Sequence, residues 1–217
     1  MKDPVNNYWQ LRLQELQERL NANNFETHIT ASAEEAGRLI VEQIALKAKA
    51  VTVSHGGSMT LAATKALDLL QEREGFEMIR VDDPNLSAEE KSERRRQGML
   101  VDLYLTGTNA VTEDGQLVNL DMIGNRVGAI TFGPKKVVIV VGRNKIVADL
   151  ETAMHRIKDY AAPTNTMRLD MKTPCVKTSV CADCSSPGRI CNYWTITEKS
   201  FPKHRIAVIL VNDDLGL

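Results

Sequence analysis

The sequence has no apolar run near the roughly 20 residues that a membrane-spanning helix needs. Its longest apolar stretch, residues 137–142, has only the length of a strand, so we expect no membrane insertion. The first residues are polar and lack the apolar core of a signal peptide. These absences predict a cytoplasmic location.

Neither charge is in excess in this chain. Its 217 residues include 27 basic and 28 acidic ones, which gives a net charge of −1. A chain so balanced has no electrostatic reason to bind nucleic acid or an anionic membrane surface. We therefore expect no nucleic-acid partner.

Cysteine is absent outside one short segment, which contains Cys175, Cys181, Cys184 and Cys191 in the spacing C-x5-C-x2-C-x6-C. In a reducing compartment this clustering favours metal binding or redox chemistry over structural disulfides. Four thiolates this close can hold zinc or an iron–sulfur cluster, although the spacing matches neither a zinc ribbon nor a ferredoxin. The alternative is a set of reduced loop thiols, of which one or two are redox-active.

Strand-like and helix-like segments alternate along most of the chain. The predicted strands include residues 50–54, 76–81, 100–105 and 136–141. Amphipathic segments between them predict helices. This alternation predicts an α/β fold with a mostly parallel sheet covered by helices on both faces. Length and composition fit a single domain over residues 1–217.

Three parts of the chain depart from the alternation. An amphipathic helix is predicted at about residues 6–24, and Asp114-Gly115 predicts the turn of a β-hairpin. After Pro163 we expect little regular structure until about residue 193, so that residues 163–192 form a cysteine-containing loop. Residues 205–211 predict a final strand, at a sheet edge or beside an existing strand.

The first candidate site follows the strand predicted at residues 50–54. Glycines let the backbone approach a ligand closely, and the N–H groups of a following helix can bind an anion. The ligand-binding candidates here are Ser54, Gly56, Gly57, Ser58 and Thr60, with His55 as an acid or base. The alternative is a tight turn in which Ser58 only caps a helix and His55 only lines a polar surface.

The second candidate site follows the strand predicted at residues 100–105. Its ligand-binding candidates are Gly107, Thr108 and Asn109, and Glu113 supplies a carboxylate that could act as nucleophile or base. Because ligands of open α/β sheets sit beyond the carboxyl ends of strands, we expect both glycine turns at the same edge. The alternative for Glu113 is an exposed hairpin turn.

Two further polar groups could contribute to the same site. Asn125 and Arg126 could bind a polar ligand or belong to the cap of a helix that starts near Arg126. Asn144 and Lys145 follow the valine-rich strand, at the end where a cation could meet a phosphate or carboxylate. The alternative for these two residues is a basic loop.

Several of these segments together resemble the LutC/YkgG-type lactate-utilisation (LUD) family. The matching stretches are SHGGSMTL at 54–61, TGTNAVTEDGQLVNLD at 106–121, GNRVGAITFGPKKVVIVVGRNKIVADLE at 124–151, TPC at 173–175 and CADCSSPGRIC at 181–191. The resemblance covers the chain from about residue 6 onward. It implies a role in the use of lactate or a related organic acid, beside iron–sulfur protein partners.

The resemblance also implies a fold similar to the ribose-5-phosphate isomerase, glucosamine-phosphate isomerase and CoA-transferase superfamily. In that superfamily a glycine-rich turn binds phosphate or CoA, and Gly56, Gly57 and Ser58 would correspond to it. Glu113 resembles a CoA-transferase glutamate that forms an acyl-CoA intermediate. Asp114 stands where those enzymes have asparagine, and its added negative charge argues against the same reaction.

Three hypotheses follow from the sequence. The first is an accessory protein of lactate or organic-acid oxidation that binds a small anionic ligand, with a phosphate, carboxylate or CoA group, between the glycine turns. The second is an isomerase- or CoA-transferase-like enzyme that uses Glu113. The third is a metal-binding interaction module built on the four cysteines. The sequence leaves open whether the protein is catalytic.

Overall fold

The structure is a computed structural model and describes residues 3–217. In that range the strands are β1 Glu26–Thr30, β2 Thr52–His55, β3 Glu77–Ile79, β4 Leu103–Gly107, β5 Ala110–Thr112, β6 Leu117–Asp121, β7 Lys136–Gly142, β8 Ile146–Val147, β9 Tyr193–Thr197 and β10 Ile206–Val211. The α-helices are α1 Pro4–Ala22, α2 Ala33–Leu39, α3 Ala45–Lys47, α4 Met59–Ala63, α5 Ala66–Glu72, α6 Ala88–Gln97, α7 Asn125–Thr131, α8 Leu150–Arg156, α9 Ala162–Arg168 and α10 Pro174–Thr178. None of these helices is both long and apolar enough to span a bilayer.

Six parallel strands form the main sheet, in the order β1-β10-β7-β4-β2-β3. Alternate residues of β7 point to opposite faces, as the pleat of a strand requires. Val138 and Val140 belong to an apolar cluster with Leu61 of α4, whereas Ile139 belongs to a second cluster with Leu13 of α1. The sheet is therefore covered on both faces, which confirms the predicted fold class.

The N-terminal helix packs on its own domain. Leu13, Leu16 and Leu20 of α1 are buried against the main sheet, at the i, i+3 and i+7 positions that one helix face presents. The Asp3 side chain accepts a hydrogen bond from the Asn6 N–H at 3.0 Å and caps the helix start. The sequence-predicted helix over about residues 6–24 is thus confirmed.

A second, smaller sheet has the strand order β8-β5-β6-β9. Only a few residues separate the end of β4 from β5 and the end of β7 from β8, so this sheet lies near the carboxyl ends of β4 and β7. β5 and β6 are antiparallel neighbours, and Gly115 in their turn has φ +82°. The hairpin predicted from Asp114-Gly115 is therefore confirmed. Glycine accepts the positive φ of its turn without strain.

Some sequence predictions are corrected by the structure. The last strand, β10, lies between β1 and β7, so of its two predicted positions the one beside an existing strand is correct and the edge position is wrong. The amphipathic segment after β2 forms two helices rather than one, because Lys65, with φ +56°, separates α4 from α5. The expectation of little regular structure after Pro163 is wrong, because α9 and α10 lie in that segment. Pro163 is accommodated in the first turn of α9, where a missing N–H is tolerated.

We expect Gly37→Ala to destabilise the protein, although alanine normally favours a helix over glycine. A Cβ at position 37 would lie 2.1 Å from the carbonyl oxygen of Thr64, so α2 would have to move away from its neighbour. Overpacking of this kind lowers the free energy of unfolding by about 1–3 kcal/mol. Urea denaturation measures the effect. Gly57→Ala is the control, because a Cβ there meets no atom within 4 Å; equal stability of the two variants would contradict the prediction.

Candidate functional site

The two glycine-containing turns lie side by side at the carboxyl edge of the main sheet. β2 and β4 are neighbouring parallel strands, so the turns that follow them meet. The Gly56 N–H donates to the carbonyl oxygen of Leu105 at 3.0 Å. A Cβ on Gly107 would lie 2.5 Å from Ser58 Oγ, so a larger residue at position 107 would displace the hydroxyl that caps α4.

A cavity of about 260 Å³ opens at this edge; it is called the anion cavity below, after the ligand class that the sequence predicts for this edge. Eight of the twelve predicted ligand-binding residues line it: Gly57, Ser58, Gly107, Thr108, Asn109, Asn125, Arg126 and Lys145. Asn165 and Arg168 of α9 and the following Leu169 also line it, and sequence reasoning missed them. Pro163 is the sequence feature that could have predicted α9, because proline is common in the first turn of a helix.

Four predicted ligand-binding residues do not line the anion cavity: Ser54, Gly56, Thr60 and Asn144. They make contacts within the protein instead. Ser54 Oγ donates to the carbonyl oxygen of Ile79 at 2.8 Å. The Thr60 hydroxyl donates to the carbonyl oxygen of Leu215 at 3.0 Å, and Asn144 Oδ1 accepts from the Leu215 N–H at 3.1 Å. Thr60 and Asn144 thus hold the C-terminal segment against the turns.

Arg126 is buried and holds the turns together. Its guanidinium donates to the carbonyl oxygens of Gly107 (3.1 Å) and Leu120 (3.1 Å), the amide oxygens of Asn109 (2.8 Å) and Asn119 (2.5 Å), and the carboxylate of Asp121 (3.3 Å). These five acceptors match the five N–H groups of a guanidinium. Arg126 therefore lines the cavity, but all five of its guanidinium N–H groups donate hydrogen bonds within the protein.

Asp121 has a second role at the start of α7. Its Oδ2 accepts hydrogen bonds from the backbone N–H groups of Arg126 at 3.2 Å and Val127 at 3.4 Å. A carboxylate at this position satisfies N–H groups that have no partner inside the helix. The side chain that caps this helix is therefore that of Asp121, and Asn125 and Arg126 are the first two residues of the helix itself.

Lys145 is a buried cation that forms no ion pair within residues 3–217. The residue is 5% exposed, and its Nζ donates to the Thr60 hydroxyl at 2.7 Å and to the Thr108 carbonyl oxygen at 3.3 Å. Neither partner is charged. Burial lowers the pKa of Lys145 to about 7, and the positive charges of Arg156 and Arg126 contribute to this. An anion in the cavity would supply the missing counter-charge.

The two predicted catalytic residues lie outside the lining of the anion cavity. His55 is buried, with Nε2 3.3 Å from Asp82 Oδ1. Burial lowers the pKa of His55, and the carboxylate of Asp82 opposes this shift. Glu113 is half-exposed and forms an ion pair with Arg12 of α1. The hairpin turn thus anchors the N-terminal helix, and a catalytic role of Glu113 stays a prediction.

The four cysteines line a second cavity, called the cysteine cavity below. All four are partly exposed thiols. Cys175 Sγ lies 3.3 Å from the Thr166 hydroxyl oxygen and 3.2 Å from that of Thr173. Ile190 lines both cavities. In the part of the chain that the structure describes, no three Cys, His, Asp or Glu side chains are positioned to chelate one metal ion.

Comparison with known proteins places this geometry in a family. A family model described as the LUD domain matches residues 13–211. One solved structure with a similar fold is the crystal structure of a DUF162 family protein from Deinococcus radiodurans; it is 16% identical, with a TM-score of 0.52, and the match covers 94% of this chain and 98% of that one. No curated protein matches. Because the family model covers most of the sequence, the chain belongs to the LUD domain family, which is associated with lactate utilisation.

Proposed function

We propose that this LUD domain binds a small organic-acid anion of the lactate class in the anion cavity. The observation that carries the proposal is Lys145, a buried cation whose two hydrogen-bond partners are uncharged. A buried charge without a counter-charge is unfavourable, and a bound carboxylate would neutralise it. The association of the family with lactate utilisation supplies the ligand class.

The charges around the cavity favour an anion over a cation. Arg126 and Asp121 form an ion pair at 3.3 Å, so their charges largely offset each other. Lys145 has no such partner among the described residues, and Arg168 adds an exposed cation on the wall formed by α9. Asp121 is the one acidic side chain in the cavity lining over residues 3–217. The balance is positive, which attracts a negatively charged ligand.

The size and lining of the cavity suit a small metabolite. About 260 Å³ is less than the roughly 300–1,000 Å³ of sites for drug-sized ligands. Met59 and Leu169 offer apolar contacts, whereas Ser58, Asn109 and Asn125 offer hydroxyl and amide groups. Apolar contacts fit the methyl group of lactate, and the polar groups can form hydrogen bonds with its carboxylate and hydroxyl oxygens.

Calorimetric titration of the full chain with lactate, pyruvate and lactamide tests the proposal. Lactamide has the size and hydroxyl group of lactate but carries no charge. Below the Lys145 pKa of about 7, we expect both acids to bind and lactamide to bind at least about tenfold more weakly, because it cannot form the charge-assisted hydrogen bond. Equal affinity for lactate and lactamide, or binding of neither acid, would contradict the proposal.

Binding is expected to weaken as the pH rises above about 7, the pKa of Lys145. The ligand carboxylate stays ionised throughout, so the lysine is the group that changes charge. Below this pKa the apparent Kd is constant. Above it the Kd rises by up to about tenfold per pH unit, because binding then requires uptake of one proton. The same titration repeated across this range measures the effect, and a flat profile would argue against Lys145 as the anion partner.

A further inference from the structure

Four thiols converge on the cysteine cavity from different points of the chain. Cys175 lies in α10, and the other three cysteines lie in the segment between α10 and β9. The chain folds back on itself so that all four line the same space. The four thiols therefore border one common cavity, where the ligands of a single centre would have to lie.

The segment that carries these thiols buries few of its side chains. Of residues 171–192, only Thr173 and Ile190 are buried. Burial of apolar side chains normally offsets the conformational entropy that a chain loses when it is ordered. A segment of this length with two buried residues lacks that stabilisation. A metal held by four side chains supplies it as a cross-link.

The polar surroundings fit a negatively charged centre. Lys158, Arg189 and Asp183 line the cysteine cavity, and their net charge of +1 would offset part of the negative charge of bound thiolates. Asp183 bridges the two cations, at 2.8 Å from Lys158 Nζ and 2.9 Å from Arg189 Nη2. Arg189 also donates to the carbonyl oxygens of Cys184 at 2.5 Å and Cys191 at 2.9 Å. It fixes the backbone beside two of the four thiols.

We propose that Cys175, Cys181, Cys184 and Cys191 bind a thiolate-ligated metal centre, either zinc or an iron–sulfur cluster, that supports one wall of the anion cavity. Thiolates are the soft ligands that both kinds of centre take. No three of the thiols in the described residues are positioned for a single ion as they stand. Zinc would therefore require the segment to contract, whereas a cluster spans wider gaps.

The two cavities share a wall, which links the centre to the ligand. Ile190 lines both of them. Thr166 of α9 lines the cysteine cavity, and Asn165 and Arg168 of the same helix line the anion cavity. A centre bound on one side of α9 would fix the position of the residues on its other side. This link between the metal centre and ligand binding rests on the proposed function, whereas metal binding by the four cysteines does not.

Metal analysis of the full chain, purified without oxygen, tests the centre. We expect about one zinc ion per chain, or iron with matching inorganic sulfide and visible absorbance. The double variant Cys181→Ser/Cys184→Ser should lose the metal, and Ser185→Ala, in the same segment, should keep it. Wild-type protein that holds neither metal, even after incubation with zinc or with iron and sulfide, and whose four thiols all react freely, would overturn the proposal.

Hydrogen exchange tests the structural link without any ligand. Removal of the metal with a chelator should speed amide exchange in α9 by about tenfold or more, because local opening becomes easier, and exchange in the buried strand β7 should stay unchanged. Metal-dependent α9 exchange without lactate binding would overturn the proposed function alone. Lactate binding by a chain that holds no metal would overturn the metal centre alone. Unchanged α9 exchange in metal-free protein would overturn the shared-wall role.

Discussion

Replacement of Lys145 by methionine is expected to abolish carboxylate binding and to stabilise the unliganded protein. The lysine Nζ is the uncompensated charge of the anion cavity, and loss of one partner of a buried charge pair weakens binding by about 2–5 kcal/mol. We therefore expect affinity for lactate to fall by at least about thirtyfold. Methionine has a similar length, so the cavity keeps its shape.

The stability gain has the same origin as the loss of binding. The pKa of Lys145 is lowered to about 7, so the unfolded chain binds a proton more tightly than the folded one. Substitution by an apolar residue removes that penalty. Even buried ion pairs, whose charges partly compensate each other, have been replaced by apolar residues with a gain of about 1–4 kcal/mol. Because the unfolded state holds the extra proton above pH 7, the wild type gains stability as the pH rises, and the advantage of the variant shrinks.

Urea denaturation and lactate titration of the same samples measure both effects. Lys203→Met is the matched control, because Lys203 is exposed and an exposed substitution changes stability by no more than about 0.5 kcal/mol. A Lys145→Met protein that is less stable than the wild type at neutral pH would show that contacts within the protein already compensate the charge of the lysine. Retained lactate affinity would show that the anion sits elsewhere.

The anion cavity could be predicted largely from local patterns. A parallel sheet brings the carboxyl ends of neighbouring strands to one edge. Once the strands before Gly57, Gly107 and Lys145 are recognised, we can predict that these three residues lie close together, without knowledge of side-chain contacts. That is why eight of the twelve proposed ligand residues line one cavity.

The remaining features depend on contacts between distant segments. Glu113 pairs with Arg12, 101 residues earlier in the chain, and no local pattern encodes that pairing. Arg126 looks like a free cation in the sequence, but its five acceptors come from other turns and are visible only in the fold. The wall formed by α9 was missed because a proline was taken as the end of regular structure rather than as the start of a helix.

Arg126→Met is expected to be among the most destabilising single substitutions in the chain. The side chain of Arg126 is 10% exposed, and that of its ion-pair partner Asp121 is 13% exposed. Removal of one member of a buried ion pair costs about 3–5 kcal/mol, because the other charge stays buried without compensation. The carbonyl of Gly107 and the amide oxygens of Asn109 and Asn119 would each lose the hydrogen bond from the guanidinium as well. We expect lactate affinity to fall with stability, since these acceptors form the turns around the cavity.

Rescue by a second substitution separates this explanation from a simple loss of packing. In the Arg126→Met background, Asp121→Asn removes the uncompensated charge and should recover a measurable part of the lost free energy of unfolding. Arg126→Lys should be intermediate, because an ammonium is a point charge that cannot reach five acceptors at once. Arg96→Met, at a side chain that is 72% exposed, should have little effect. If Arg126→Met matched Arg96→Met in urea denaturation, or if Asp121→Asn added to the loss, Arg126 would not be the residue that holds the turns together.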